Sequence, residues 1–169
     1  MKKRTVCFVG ILLLALAGAA LAFFCLRPGP EKAAEAAVRQ ALACTRAQAR
    51  QWEQLLADPA AADDAALLEQ ARADYGAAFA EEGCRALLDA RLPGRVAQQV
   101  LAAQGDLSVS GVTLTALNTV QGEGRACQYT AVLLLDGTEL VCTGTVRVQQ
   151  QNGRWLAVSF SADWPPEAA

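Results

Sequence analysis

The sequence predicts an α+β protein, with an N-terminal transmembrane helix followed by helices packed on a curved antiparallel sheet. Three observations carry that reading. Thr5 to Leu26 is an uncharged apolar run of 22 residues. From Glu31 to Gln104 the chain is Ala-rich, with apolar residues recurring at helical spacing. At Leu107 the period changes to alternation, and turn signals such as Asp136-Gly137 appear. Helices first and hairpin-connected strands afterwards give the α+β class rather than a parallel α/β one.

The apolar run is long enough to cross a bilayer. At about 1.5 Å per residue it spans roughly 33 Å as a helix, against a hydrocarbon core of about 30 Å. Lys2, Lys3 and Arg4 precede it, and positive charge before a first span stays in the cytoplasm. The expected partner of residues 5–26 is therefore the lipid bilayer. The N-terminus lies inside and the domain outside, at a bacterial cytoplasmic membrane. A secretory signal peptide is the competing reading, with Ala20-Leu21-Ala22 as its small-x-small cleavage site. The length favours an anchor. Cys7 and Cys25 within the run read as apolar filler.

The organisation expected is a basic tip and anchor over 1–27, a Pro-Gly-Pro spacer over 28–30, an extracytoplasmic domain over 31–162 and a tail over 163–169. The chain carries 15 basic and 17 acidic residues. Removing Lys2, Lys3, Arg4 and Arg27 leaves 11 basic against 17 acidic, a net charge of −6. That sign excludes a nucleic-acid partner, which requires a basic footprint. The chain has no histidine. Ser-His-Asp and Cys-His catalysis, His-ligated metals and histidine pH switching are thereby removed. No motif implies a cofactor or a metal: there is no phosphate loop, no dinucleotide fingerprint and no CxxC.

In chain order, one helix is expected from Glu31 to the Asp58-Pro59 stop, burying Val38, Leu42, Thr45, Ala49, Trp52 and Leu56. Glu35 and Arg39 pair across one turn on its outer side. A second helix starts at Asp63-Asp64, which read as an N-cap and a first-turn acid rather than as catalytic carboxylates. Leu68, Ala71, Tyr75 and Phe79 form its apolar stripe, Gly76 lies inside it, and Gly83 interrupts it. Glu81-Glu82 reads as solvated. Two short helical pieces follow, Cys84–Leu92 and Arg95–Gln104, split by Pro93-Gly94.

Leu107, Val109, Val112, Leu114 and Ala116 alternate with a slip of one at Gly111, the mark of a β-bulge. Gln121 to Arg125 reads as a plain turn. Asp136-Gly137 as a two-residue turn pairs Leu135 with Thr138, Leu133 with Leu140, Ala131 with Cys142, Tyr129 with Gly144 and Cys127 with Val146. Those pairs form an apolar face. Gln128, Thr130, Thr143, Thr145 and Arg147 lie on the other face, interrupted near the turn by Val132, Leu134 and Val141. Tyr129 would cover Gly144 with its ring. In this register Cys127 and Cys142 sit four residues apart along the strands, roughly 13 Å, too far for a disulfide. Cys44 with Cys84 remains open, against four free thiols acting as small hydrophobes. The last hairpin is read as a three-residue loop over Gln151-Asn152-Gly153, aligning Leu156 with Val148 and Val158 with Val146 and turning Trp155 to the other face.

A long N-terminal helix, a second helix with Tyr75 and Phe79, the segment EEGCRALLDAR and strands ending in NGRWLAVSF together resemble the NTF2-like (cystatin-like) superfamily. The resemblance covers Glu31 to Ser161. It implies a cone of curved sheet closed by helices, whose mouth in many members holds a small apolar ligand and in some an acid or histidine for isomerase or dehydratase chemistry. Here the inner strand face offers Tyr129 without a carboxylate or histidine. The leading expectation is a non-enzymatic module that binds an envelope protein or a second copy through its sheet. The alternative is a small-ligand domain with a pocket lined by Trp52, Tyr75 and Tyr129. A third reading is an isomerase-like enzyme using Tyr129 with Asp74 or Asp89.

Overall fold

The computed structural model describes residues 28–57, 63–120 and 124–164. The apolar run, the Asp58-Pro59 stop, most of the 121–125 turn and the Pro165-Pro166 tail lie outside the described residues. Among the described residues, five helices come first: α1 (Pro30–Leu42), α2 (Arg46–Ala57), α3 (Asp64–Tyr75), α4 (Glu81–Asp89) and α5 (Leu92–Ala103). Five strands follow: β1 (Leu107–Leu114), β2 (Asn118–Val120), β3 (Gly124–Leu135), β4 (Thr138–Gln151) and β5 (Arg154–Asp163). The strands make one antiparallel sheet in the order β1-β3-β4-β5, with β2 also pairing with β3. The sheet does not close on itself. No described helix is long and apolar enough to cross a membrane.

The single first helix expected is in fact two. Ala43 leaves α1 in an extended conformation (φ −90°, ψ 140°). Cys44 then exchanges both of its backbone hydrogen bonds with Leu107, at 2.9 Å each. Thr45 restarts the helix with a reciprocal cap: its hydroxyl accepts from the Gln48 N–H at 3.3 Å, and its own N–H donates to Gln48 Oε1 at 3.0 Å. Thr-x-x-Gln is a capping-box sequence, so the restart was legible. The break itself comes from strand pairing with a residue far along the chain.

Asp63 caps α3 as expected, its carboxylate accepting from the Ala66 N–H at 2.7 Å. The helix ends earlier than predicted, with Gly76 at its C-cap. Phe79 is not helical but forms a parallel bridge with Ala157. Gly83 does not interrupt a helix either; it lies within α4, against β5. Glu81 is ion-paired rather than merely solvated, receiving hydrogen bonds from Arg85 at 3.0 Å and from Arg72. The guanidinium of Arg85 first, and that of Arg72 next, hold its carboxyl below the usual carboxylate range. The α4–α5 junction falls at Ala90-Arg91, with Arg91 in the left-handed region (φ 52°). Pro93 occupies the first turn of α5, where its missing N–H costs nothing.

The sheet obeys the sequence closely in its centre. The register shift in β1 lies between Val109 and Gly111. All the expected β3–β4 pairs occur, from Cys127 with Val146 to Leu135 with Thr138. The β4–β5 hairpin departs from expectation. Asn152 (φ 51°) and Gly153 (φ 74°) make a two-residue turn, and Gln151 pairs with Arg154. Ala157, not Leu156, therefore faces Val148. A bulge at Val158 then restores the phase, so Phe160 rather than Val158 pairs with Val146. Trp155 consequently lies on the Ala157 face and packs against the core. The bulge follows Ala157, whose N–H donates to Ala78 at 2.8 Å and whose carbonyl accepts from Ala80 at 2.9 Å. The expected tail also begins too early, since Asp163 pairs with Thr143 and Trp164 is buried.

The core lies between the helices and the inner sheet face. Cys127, Tyr129, Ala131, Leu133 and Leu135 of β3 line it, with Cys142, Val146 and Val148 of β4 and Ala157 and Phe160 of β5. The α1 stripe of Ala33, Ala34, Ala37, Val38, Ala41 and Leu42 packs over them. The described core holds no buried charged residue.

Candidate functional site: the two faces of the sheet

The three residues expected to line a ligand pocket come together, but as packing. Trp52 stacks on Tyr75 at 6.4 Å between ring centroids, and Tyr75 meets Phe79 edge-on at 6.2 Å. Phe79 meets Phe160 at 5.8 Å, and Phe160 stacks on Tyr129 at 5.3 Å. The five rings form one continuous chain through the core, within the spacing at which aromatic pairs attract beyond their burial. Trp52 is 1% exposed, Tyr75 7% and Tyr129 2%. Side chains thus occupy the interior where a ligand would sit.

The polar ends of these rings are tied down. Trp52 Nε1 donates to Asp74 Oδ2 at 2.9 Å, and Gln70 donates to the same oxygen at 3.1 Å. Tyr129 donates its hydroxyl to the Ser161 carbonyl at 2.9 Å. The acid and the tyrosine of the enzyme reading therefore serve separate partners: Asp74 holds Trp52, and Tyr129 holds β5. Burial pushes both Tyr75 and Tyr129 above the ordinary phenol range. Removing the Tyr129 hydroxyl (Y129F) should cost about 1 kcal/mol, the worth of one such hydrogen bond. Urea unfolding of the two proteins measures it.

Cys44, Cys84, Cys127 and Cys142 are free and buried. Cys142 Sγ contacts the Asp163 carbonyl at 3.6 Å, and Cys84 Sγ contacts the Ala71 carbonyl at 3.7 Å. Burial pushes Cys44 and Cys142 up to about 11 from an ordinary 9.0. The folded state therefore holds these protons where the unfolded chain releases them. Their contribution is fully present below pH 9 and is lost as pH rises from about 9 to 11. We expect the melting temperature to fall across that window, less steeply in C44A than in the parent. A thermal melt series from pH 7 to pH 11 tests the slope.

The outer face is open and differs in character. One row across the strands reads Thr113, Thr130, Thr143 and Asp163. The next reads Thr115, Gln128, Thr145 and Ser161. Together they line a shallow depression of about 330 Å³. Its hydroxyls are partly engaged with one another: Thr145 Oγ1 and Ser161 Oγ lie 2.8 Å apart, and Thr143 Oγ1 lies 3.4 Å from Asp163 Oδ2. Asp163 is the single charged group in these two rows. Towards the Asp136-Gly137 turn the next row is apolar, with Val132 between Gly111 and Val141, and the row beyond it reads Ser108, Leu134 and Glu139. Val141 is 58% exposed, one of two large hydrophobic residues standing out from the described surface.

Sequence alternation identified the β3 and β4 members of this face. It missed Thr113, Thr115, Ser161 and Asp163. The Thr-x-Thr alternation around Leu114 signalled the first two. Assigning Asp163 to a tail concealed the last.

No protein-family model and no curated protein matches the chain. Among solved structures, a periplasmic fragment of TraM is similar at 10% identity over 76% of this chain and 90% of that one. Its TM-score is 0.40, a level that establishes no shared fold.

Proposed function

We propose that this protein is a membrane-anchored, extracytoplasmic, non-enzymatic domain that binds a protein partner or a second copy through the outer face of its sheet. The observation that carries this reading is the contrast between the two faces. The inner face is covered by a continuous chain of five aromatic rings, in stacked and edge-on contact. The outer face is open, holds Asp163 as the one charged group of its two central rows, and carries the exposed Val141. Depletion of charge at the centre of a patch, with an exposed apolar residue beside it, is the compositional mark of an interface.

The anchor belongs to the same reading and rests on the 5–26 run and the basic residues before it. So does the NTF2-like resemblance, which the order of elements and the Asn152-Gly153-Arg154-Trp155 hairpin support. A small apolar ligand in the cone has weaker support, because the aromatic chain occupies that volume. Native mass spectrometry of the chain from Pro28 onward tests the choice. A discrete complex that is lost in a V141E/T143K variant supports the interface reading. Extra small-molecule mass that disappears on denaturation supports the ligand reading instead.

A further inference from the structure

A second surface feature lies where the chain leaves the apolar run. The start of α1, the turn after α3 and the β4–β5 turn enclose a notch of about 120 Å³. Pro28 forms one wall, Ala36 and Ala77 are among the small residues of its lining, and Trp155 lines it with Lys32 and Arg154. The notch is mainly apolar, as its alanines, proline and indole dictate. Trp155 is partly exposed there, unlike Trp52 and Trp164, which are buried. Lys32 and Arg154 are exposed, and Arg154 is steered by donating to the Ala77 carbonyl at 3.2 Å.

Position gives this combination its meaning. The apolar run ends at Leu26, two residues before Pro28. Two residues reach at most about 7 Å. The headgroup layer adds about 5–8 Å to each side of the hydrocarbon core. If the run spans, Pro28, one wall of the notch, stays within reach of the headgroup layer. Tryptophan prefers that depth, having an apolar body and a polar N–H, and lysine and arginine there meet lipid phosphates. No acidic residue lines the notch. Glu31 and Glu35 line an adjoining groove against Val112 and Leu114 that Lys32 also borders, Glu35 is paired with Arg39 at 2.9 Å, and Glu82 accepts from Gln151 at 2.9 Å.

We propose that the Trp155 notch seats the domain on the membrane that anchors it, Trp155 entering the headgroup layer and Lys32 and Arg154 contacting the phosphates of anionic phospholipids. The net negative charge of the domain opposes broad attachment to such a surface; a small basic and aromatic corner, held close by the tether, does not require it. This inference rests on the anchor reading and is separate from the outer sheet face.

The test uses the full chain reconstituted in phosphatidylethanolamine–phosphatidylglycerol vesicles carrying spin-labelled lipid with the label near the headgroup. Resistance to alkaline carbonate extraction reports integration, and tryptophan quenching reports depth. The expected result is an integrated protein with a quenchable component that disappears in W155F and falls about twofold in K32E/R154E. Integration without a W155F-sensitive component overturns the docking and leaves the anchor standing. Equal quenching in phosphatidylcholine vesicles, or no change in K32E/R154E, overturns the recognition of anionic headgroups. Extraction by carbonate overturns the anchor reading and the docking together.

Discussion

Replacing Gly144 by alanine is expected to be among the most damaging single-methyl changes in this domain. A Cβ there would lie 2.0 Å from the Ser161 carbonyl oxygen and 2.7 Å from the Tyr129 hydroxyl. Both are too close for a carbon atom, and neither partner is free to retreat. The carbonyl belongs to β5, which is paired with β4 on either side of this position. The hydroxyl is held at 2.9 Å by that same carbonyl and ends the core aromatic chain. Overpacking of this kind costs about 1–3 kcal/mol, and loss of the Tyr129–Ser161 bond adds about 1 kcal/mol. A loss of about 3 kcal/mol lowers the melting temperature of a domain this size by about 10 °C. G111A is the control: the nearest atom to its new methyl is Val132 Cβ at 4.0 Å, an ordinary contact. Differential scanning calorimetry of the two variants should separate them clearly.

The second large effect reverses a rule of helix propensity. Gly83 lies within α4, where alanine is intrinsically better by about 1 kcal/mol. Here the methyl would sit 2.2 Å from the Ala157 carbonyl oxygen and 3.0 Å from the Phe79 ring. That carbonyl is fixed by the Ala80 N–H at 2.9 Å. The helix must therefore lift from the sheet, weakening the Phe79 contacts that join Tyr75 to Phe160. We expect G83A to destabilise by about 2 kcal/mol net of the propensity gain. A chemical-denaturation midpoint above that of the parent would show that α4 does not pack as described.

Both glycines illustrate what was and was not legible in the sequence. Gly144 was readable because Asp136-Gly137 set a register in which Tyr129 had to lie across from it. Local turn chemistry propagates along a hairpin without help from the rest of the chain. Gly83 was not readable, because its role is set by Ala157, a residue on the last strand. The same holds for Cys44, which leaves the helix to pair with Leu107, and for the bulge at Val158, adjacent to an alanine whose backbone bonds the 78–80 segment. In each case a distant backbone overrode a local preference.

The candidate site divides in the same way. Trp52, Tyr75 and Tyr129 read from the sequence as members of apolar faces, and all three are buried, but periodicity does not distinguish a lined pocket from a filled core. Phe79 and Phe160 fill it, and the placement of Phe160 depended on the bulge. The Gln128, Thr130, Thr143 and Thr145 side of the central hairpin was legible from alternation. Its extension into a depression needed the lateral neighbours from β1 and β5.

The most direct measurement for the outer-face interface is site-specific photocrosslinking of the full chain in its membrane. A photoreactive residue is placed in turn at Thr130, Val141 and Thr143, and at the exposed helix positions Glu53 and Glu69. A discrete adduct is expected from the three sheet positions, either of two copies or of one partner, and none from the helix positions. Adducts confined to the helix positions, or none at any position, would contradict an outer-face interface.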